Sequence, residues 1–422
     1  EEGTGNRRLY WPRGKVVGGS GGVNGMIWSR GEPTRYDDWA RAGCPGWAWS
    51  DLGPIFAQIE AGRFPAPERG RTGMISIEEL EPGDEITEAF LQSCAASGIP
   101  RTEDYNAFPH EGAGRLQVST RRGLRLSTAR AYLRPAMKAG NTVLRSGALA
   151  EQVTFEGRRA SGVIYKRGGE SCWARARHEV IVTAGAIQSP QLLELSGIGQ
   201  GARLQALEIP VIADLPGVGE NLSDHYHIRV TWRSRGVLTF NQIRNRPWLH
   251  GLPMGLEFLL RGTGPLSYIS ATAHALARSA PDLPRPDIKI QLHKVSTSDR
   301  SDYRGTGVDP FPGVSIGFFQ LFPQSRGSVH AQSRDMGTAP RITANYLDSE
   351  TDRQIAVRGL TIARRIAAQE PMRPYLVEET RPGVGIDDDA ALLDYARRNG
   401  QTSFHPVGTC RMGEGPQSVV DP

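Results

Sequence analysis

From Ile228 onward, apolar and polar side chains alternate along the chain. Ile228, Val230 and Trp232 are interleaved with Arg229, Thr231 and Arg233, and Ile288, Ile290 and Leu292 with Lys289, Gln291 and His293. Val314, Ile316 and Phe318 keep the habit, as do Val329 and Ala331 against Ser328, His330 and Gln332. A period of two sorts side chains to opposite faces of a strand, which predicts an antiparallel sheet with one buried and one wet face. Earlier the pattern differs. Glu179–Thr183 is apolar through Val180, Ile181 and Val182, the mark of a strand covered on both faces. A tight turn at Ala184-Gly185-Ala186 follows, and then a helix with Ser189 as N-cap, Pro190 at its first position and Gly197 as its stop. Shorter strands are expected at Val143–Leu144, Val153–Phe155 and Gly162–Tyr165.

Three further helices follow from spacing and caps. Asp84–Ser97 repeats Ile86, Phe90 and Cys94 every four residues, with Gly98 beyond its end. Ser349-x-x-Asp352 opens a long one through Ile366, and Asp387–Arg398 forms another, closed by Asn399-Gly400. Arg101–Thr128 has few apolar positions and reads as an irregular excursion over the surface. A strand–turn–helix unit followed by alternating strands gives an α/β protein with an α+β second part. The length of 422 residues exceeds what one hydrophobic core usually serves.

Composition narrows the function classes. No apolar stretch approaches a membrane span. The net charge is +5, from 45 Arg and 5 Lys against 45 acids, but the cations are scattered among the acids, unlike those of a nucleic-acid binder. Cys44, Cys94, Cys172 and Cys410 show no C-x-x-C spacing, so neither a zinc site nor a redox pair is expected. Free thiols suit a reducing, cytoplasmic compartment. His225-x-His227 has strand spacing for two metal ligands but no third in pattern, so no metal is expected and both histidines read as structural.

The run from Gly14 to Met26 carries the strongest chemical signal. Its glycines suit neither a helix nor a strand interior, but they let backbone N–H groups approach a ligand closely. Val16-Val17 could anchor one side of such a loop in a core. A flexible surface loop would not be framed by Arg13, Val16, Val17, Met26, Ile27 and Trp28.

Trp11–Glu60, with Asp37-Asp38-Trp39 and Gly46-Trp47, resembles the flavin-binding opening of the glucose–methanol–choline (GMC) oxidoreductases. Gly185–Gly199 matches the family's second motif, and Pro216–His225 matches another. Thr402–Gly413 matches its catalytic-histidine string, with Pro406 holding His405 extended and Gly408 turning the chain. The resemblance implies a Rossmann-like FAD-binding domain with a parallel sheet, over 1–83, 125–224 and 402–422. It implies a substrate domain with an antiparallel sheet flanked by helices, over 84–124 and 225–401. FAD contacts are implied at Val16, Val17, Gly18, Gly19, Ser20, Asn24, Gly25, Met26 and Ile27, with Val153 farther along. Some members bind FAD covalently through a His where this chain has Val23, so the attachment is expected to be non-covalent.

The implied reaction is oxidation of the CH–OH group of a choline-like or primary alcohol to an aldehyde or ketone. Hydride goes to flavin N5 and His405 acts as base. One departure bears on substrate. Choline-oxidising relatives carry a Glu where this chain has Thr272, with Tyr268 and His274 around it, which argues against choline. The electron acceptor (quinone, dye or oxygen) is left open by these residues. A GMC-like hydroxynitrile lyase and a non-catalytic fragment are the alternatives. The chain starts Glu1-Glu2 without Met or a G-x-G-x-x-G unit and stops at Pro422. The resemblance therefore implies missing pieces at both ends: a pyrophosphate-binding unit, and a second active-site His or Asn. The 422 residues alone are expected to hold FAD poorly.

Overall fold

The structure is a computed structural model that describes residues 2–80, 84–267, 270–297 and 307–422. Of the alternating stretches, Ser328–His330 pairs apart with Arg341–Thr343, whereas those at Ile228, Ile288 and Val314 do build one sheet. Its strands in chain order are β1 (Gly112–Arg115), β2 (Tyr226–Ser234), β3 (Ala271–Ala277), β4 (Ile288–His293), β5 (Gly313–Gln320), β6 (Leu376–Arg381) and β7 (Gln401–Thr402). Across the sheet they run β6-β2-β5-β4-β3-β1, all antiparallel, and β7 pairs with the start of β2.

Helices α1 (Glu85–Ala96) and α3 (Glu350–Ala367) cover the apolar face; α2 (Gly185–Leu195) lies between them in the chain, and α4 (Asp389–Asn399) packs beside α3, adding Leu392 and Ala396 to the core. Asp84 starts α1 by accepting the Thr87 N–H at 3.1 Å, and Gly98, at φ +86°, ends it. Asp388 caps α4 in the same way through the Ala391 N–H at 2.9 Å. On α3 the buried Ile355, Leu360, Ala363 and Ile366 pack into the same cluster as Ile228, Ile290, Ile316 and Phe318. Gly359 sets how close they come: a Cβ there would stand 2.1 Å from the Phe318 ring.

The opposite face is not wet. His274, Lys289, Gln291, His293 and Ser315 are as buried as the apolar set. Alternation told the two faces apart, but the polar one is roofed by other segments. The Tyr105 ring stands edge-on to His274 at 3.9 Å, and His225 and His405 lie against Phe319.

Arg101–Thr128 is not a surface excursion. It contributes β1, and Leu116 and Val118 are fully buried. Its polar character serves a buried ion cluster in which Arg69 joins Asp104 at 2.6 Å to Glu60 at 2.9 Å, with Gln117 and Arg30 bonded into it.

Glu179–Thr183 forms no ladder. Among the described residues no strand pairs with it, and Ile181 is 73 % exposed. An apolar run becomes a strand only beside a partner, and the chain nearby pairs otherwise. Ala148–Glu156, Arg159–Arg167 and Glu170–Arg175 form a separate antiparallel sheet. Val143–Leu144 is likewise unpaired. Parallel pairing occurs between Glu60–Ala61 and Ile75–Ser76 and between Ile198–Gly199 and Ala213–Asp214. With parallel and antiparallel pairs mixed among helices, the fold is of the α/β class.

Helix α2 starts four residues before the expected Ser189 cap, which puts Pro190 inside it. A proline there leaves the carbonyl four residues back without its N–H donor. That carbonyl, of Ala186, accepts instead from the Thr409 hydroxyl at 2.6 Å. The long-range bond makes the interior proline tolerable and ties α2 to the segment carrying His405. Among the described residues no helix is long and apolar enough to cross a membrane, and all four cysteines are free.

Candidate active site

His405 is placed by a carboxylate beneath it. Asp224 is buried, and its side chain accepts from the Thr402 hydroxyl at 2.5 Å, from the Tyr346 hydroxyl and from the His405 N–H at 2.8 Å. Burial pushes this carboxyl's pKa up, against those hydrogen bonds, which hold it down. Ser223 and Val407 exchange both backbone bonds at 2.9 Å, so the 221–225 and 402–408 segments are zipped together. Gly408 allows the closest approach. It has φ +94°, and a Cβ there would meet the Asn221 carbonyl oxygen at 2.4 Å. Arg13 joins from the stem of the glycine loop, donating from Nη2 to the Phe404 carbonyl at 2.8 Å.

The hydrogen bonds of two histidines decide where the protons sit. His225 Nε2 lies 3.1 Å from the Leu321 carbonyl oxygen, which can only accept, so Nε2 carries the hydrogen. In the neutral ring Nδ1 is then an acceptor. His405 Nδ1 is 3.1 Å from it and must be the donor. His405 Nε2 is left with its lone pair free to take a proton. The His225 ring is stacked on Phe319 at 4.6 Å and 16°, which holds the pair in place. Desolvation brings the His405 pKa down to about 3, with His225, Lys289 and Arg13 adding to the effect, although the residue as a whole is exposed. Desolvation likewise brings His225 down to about 4, with Lys289 in the same direction and the Leu321 carbonyl opposing. Both rings are neutral at pH 7.

Reasoning from sequence left His225 structural. Its last position in the Pro216–His225 string, at the mouth of β2, was the available signal. Asp224, Phe319 and Lys289 carry no role in the sequence reading, and Arg13 only frames the glycine loop there. Thr272 does not face the site: it is fully buried, and its hydroxyl lies 2.8 Å from that of Thr87 on α1. Tyr268 lies outside the described residues.

The glycine loop is shaped for a ligand. Gly14 packs so closely on Gly19 that a Cβ would lie 2.3 Å from the Gly19 carbonyl oxygen, and the Gly14 N–H donates to Ser20 Oγ at 3.2 Å. Gly18 and Gly19 have φ +98° and +56°, and a Cβ on Gly19 would meet nothing within 4 Å. One side of the loop is thus backbone facing open space. Val16 and Val17 are exposed beside it and anchor no core, because the loop turns them outward; Val23 is exposed too. Asn24 Oδ1 accepts from the Met26 N–H at 3.0 Å and from Arg125 at 2.7 Å, which fixes the loop's exit, and Met26 has φ +60°. Open backbone beside exposed apolar side chains suits a planar ring system with a polar edge, and so fits a flavin. Val153 is buried on the Ala148–Glu156 strand, and its N–H donates to Ser196 Oγ at 2.8 Å.

The family model for the N-terminal part of the GMC oxidoreductases matches residues 3–227, and that for the C-terminal part matches 323–422. The chain belongs to the GMC oxidoreductase family. It is 36 % identical over 420 residues to the oxygen-dependent choline dehydrogenase of Burkholderia multivorans, covering 99 % of this chain and 73 % of that protein. Human mitochondrial choline dehydrogenase is also 36 % identical, over 436 residues that cover 100 % of this chain and 70 % of that one. Pyridoxine 4-oxidase from Mesorbium loti superposes with a TM-score of 0.87 at 26 % identity, over 99 % of this chain and 78 % of the other. GMC oxidoreductases are FAD flavoproteins, and FAD-dependent oxidation of an alcohol CH–OH group is this protein's class of activity.

Proposed function

We propose that His405 is the general base that removes the hydroxyl proton of a small primary alcohol bound beside the glycine loop. The observation that carries this reading is the chain from the Leu321 carbonyl through His225 to His405, which leaves His405 Nε2 as a bare lone pair. An alcohol O–H is far too weak an acid to be ionised beforehand by an imidazole, so its proton must leave as the carbon gives up hydride. FAD, when bound, supplies the hydride acceptor. His405 Nε2 takes the proton, His225 holds the ring in the required tautomer, and Asp224 holds the His405 backbone. The bond that breaks at oxygen is O–H, the bond that breaks at carbon is C–H, and the product is the carbonyl.

The cofactor-holding residues in this proposal are Val16, Val17, Gly18, Gly19, Ser20, Asn24, Gly25, Met26 and Ile27; Val153 joins them on the resemblance alone. The segments 1–83, 125–224 and 402–422 form the cofactor side, and 84–124 and 225–401 the substrate side. Attachment is non-covalent, since Val23 offers no nucleophile, and a cytoplasmic setting suits the free thiols.

The test is anaerobic flavin reduction by primary alcohols in the flavin-loaded protein and in His405→Ala. The variant is expected to reduce about 10²–10⁴-fold more slowly with its flavin content kept. An unchanged rate would remove His405 from the mechanism, and flavin left oxidised by every alcohol would favour the lyase instead. Acid precipitation of the same samples should release all the flavin; colour in the pellet would contradict non-covalent binding.

A further inference from the structure

Lys289 is a group that oxidation of a simple alcohol does not call for. It lies on β4, is 7 % exposed, and has neither an ion-pair nor a hydrogen-bond partner among the described residues. Its cross-strand neighbours are Leu276 on β3 and Phe319 on β5. The Phe319 ring stacks on His225 and lies 5.7 Å from His405, so a single side chain separates the lysine from the base. One rung along β3, His274 is fully buried, and among the described residues both its ring nitrogens are unpartnered. The other ionisable side chains on this face are His227, Arg229 and Arg233 on β2, His293 on β4, and Arg381 and Glu378 on β6, where Glu378 is already paired with Arg233 at 2.8 Å and Arg381 with Asp309. Asp224, the nearby carboxylate, is already engaged by Tyr346, Thr402 and the His405 N–H.

A desolvated ammonium without a counter-charge is costly, and an incoming anion relieves that cost. A cation in the same place meets charge of its own sign. Resting on the reading of His405 as base, we infer that the alcohol taken by this site carries a carboxylate, held by Lys289 while its hydroxyl meets His405. The separation of one side chain calls for a short spacer between the two groups, as in a small hydroxy acid. A phosphate dianion would call for a richer set of donors than one lysine. Quaternary ammonium alcohols are disfavoured by the same charge. Pairing also acts on the chemistry. Lys289 is one cause of the depressed basicity of His405, and a bound carboxylate cancels it, so the correct substrate strengthens the base.

The test compares 4-hydroxybutanoate, 1-butanol and choline as reductants of the flavin-loaded protein, in the parent and in Lys289→Met. The hydroxy acid is expected to have a KM at least tenfold below that of butanol. In Lys289→Met that preference should disappear, as expected when one partner of a buried charge pair is removed. A second measurement is independent of turnover: calorimetric titration with butanoate, which lacks the hydroxyl. Binding in the parent and in His405→Ala, lost in Lys289→Met, supports the anion site. Butanoate binding equally to parent and Lys289→Met, or a preference for choline, overturns it. If no alcohol reduces the flavin while butanoate binding still depends on Lys289, the oxidation reading fails and the anion site stands. Flavin content and melting temperature of Lys289→Met exclude misfolding as the cause.

Discussion

The two faces of the seven-stranded sheet are drawn from the same strands, residue by residue, and are buried to nearly the same degree. On β4 Ile288, Ile290 and Leu292 are 0 % exposed, while Lys289, Gln291 and His293 are 7 %, 5 % and 6 %. Burial does not separate core from site here; satisfaction does. The apolar face meets α3 and α1, whose side chains need nothing but contact. Among the described residues, the polar face keeps an unpartnered ammonium and a histidine with two idle nitrogens. Buried polar groups are ordinarily paired because leaving them unpaired costs free energy. A face that departs from this rule beside a neutral histidine pair is arranged for a ligand rather than for stability.

The largest break in the comparison comes from the apolar side. Phe318 is buried against Gly359, and Phe318→Ala would leave a cavity between sheet and helix. Unfolding should show a loss of about 3–5 kcal/mol. A loss below about 1 kcal/mol would mean that α3 does not depend on this contact.

The polar side should respond with the opposite sign. Burial brings the Lys289 pKa down from 10.5 to about 8. The unfolded chain then binds more protons between those values, so the lysine's cost is fully present below pH 8 and fades as pH rises towards 10.5. Lys289→Met should therefore stabilise the ligand-free protein by about 2–3 kcal/mol at pH 7 and by less at pH 10. Equal stability of parent and variant at pH 7 would show that the ammonium has a counter-charge after all.

How far these faces could be read from the chain depends on the range of the interaction concerned. Alternation at Ile228–Trp232 and Ile288–Leu292 is local and marked the strands and their apolar side. What roofs the polar side is not local: Tyr105, His225 and His405 arrive from three distant segments. His225 and His405 are 180 residues apart, and Ala186 and Thr409 are 223 apart. No spacing rule could show that one histidine would fix the tautomer of the other, or that a distant hydroxyl would let α2 run through Pro190. Arg101–Thr128 misled for a related reason. Its arginines and acids read as solvated, but Asp104 is neutralised in the interior by Arg69, which stands outside that stretch. Glu179–Thr183 misled in the opposite way, being apolar yet unpaired.

The smallest expected effect concerns the histidines of the polar face and sharpens the comparison through pH. His225 titrates near 4, and His274 is pushed well below its usual value, first by desolvation and then by the charge of Lys289. In the unfolded chain both would bind a proton near pH 6.5. Above that value neither affects stability. As pH falls below 6.5 the unfolded state takes up protons that the folded state refuses, so stability declines with acidity until the folded pKa values are reached. Each such histidine adds a slope of up to about 1.4 kcal/mol per pH unit. Removing one, in His274→Leu, should reduce the loss of stability between pH 6 and pH 5 by about that amount. Chemical denaturation at the two pH values measures it. Phe318→Ala, on the other face, should lower both stabilities equally and leave the slope alone. If His274→Leu also left the slope unchanged, His274 would have to take up its proton inside the fold, and the polar face would be open to water as its alternation first implied.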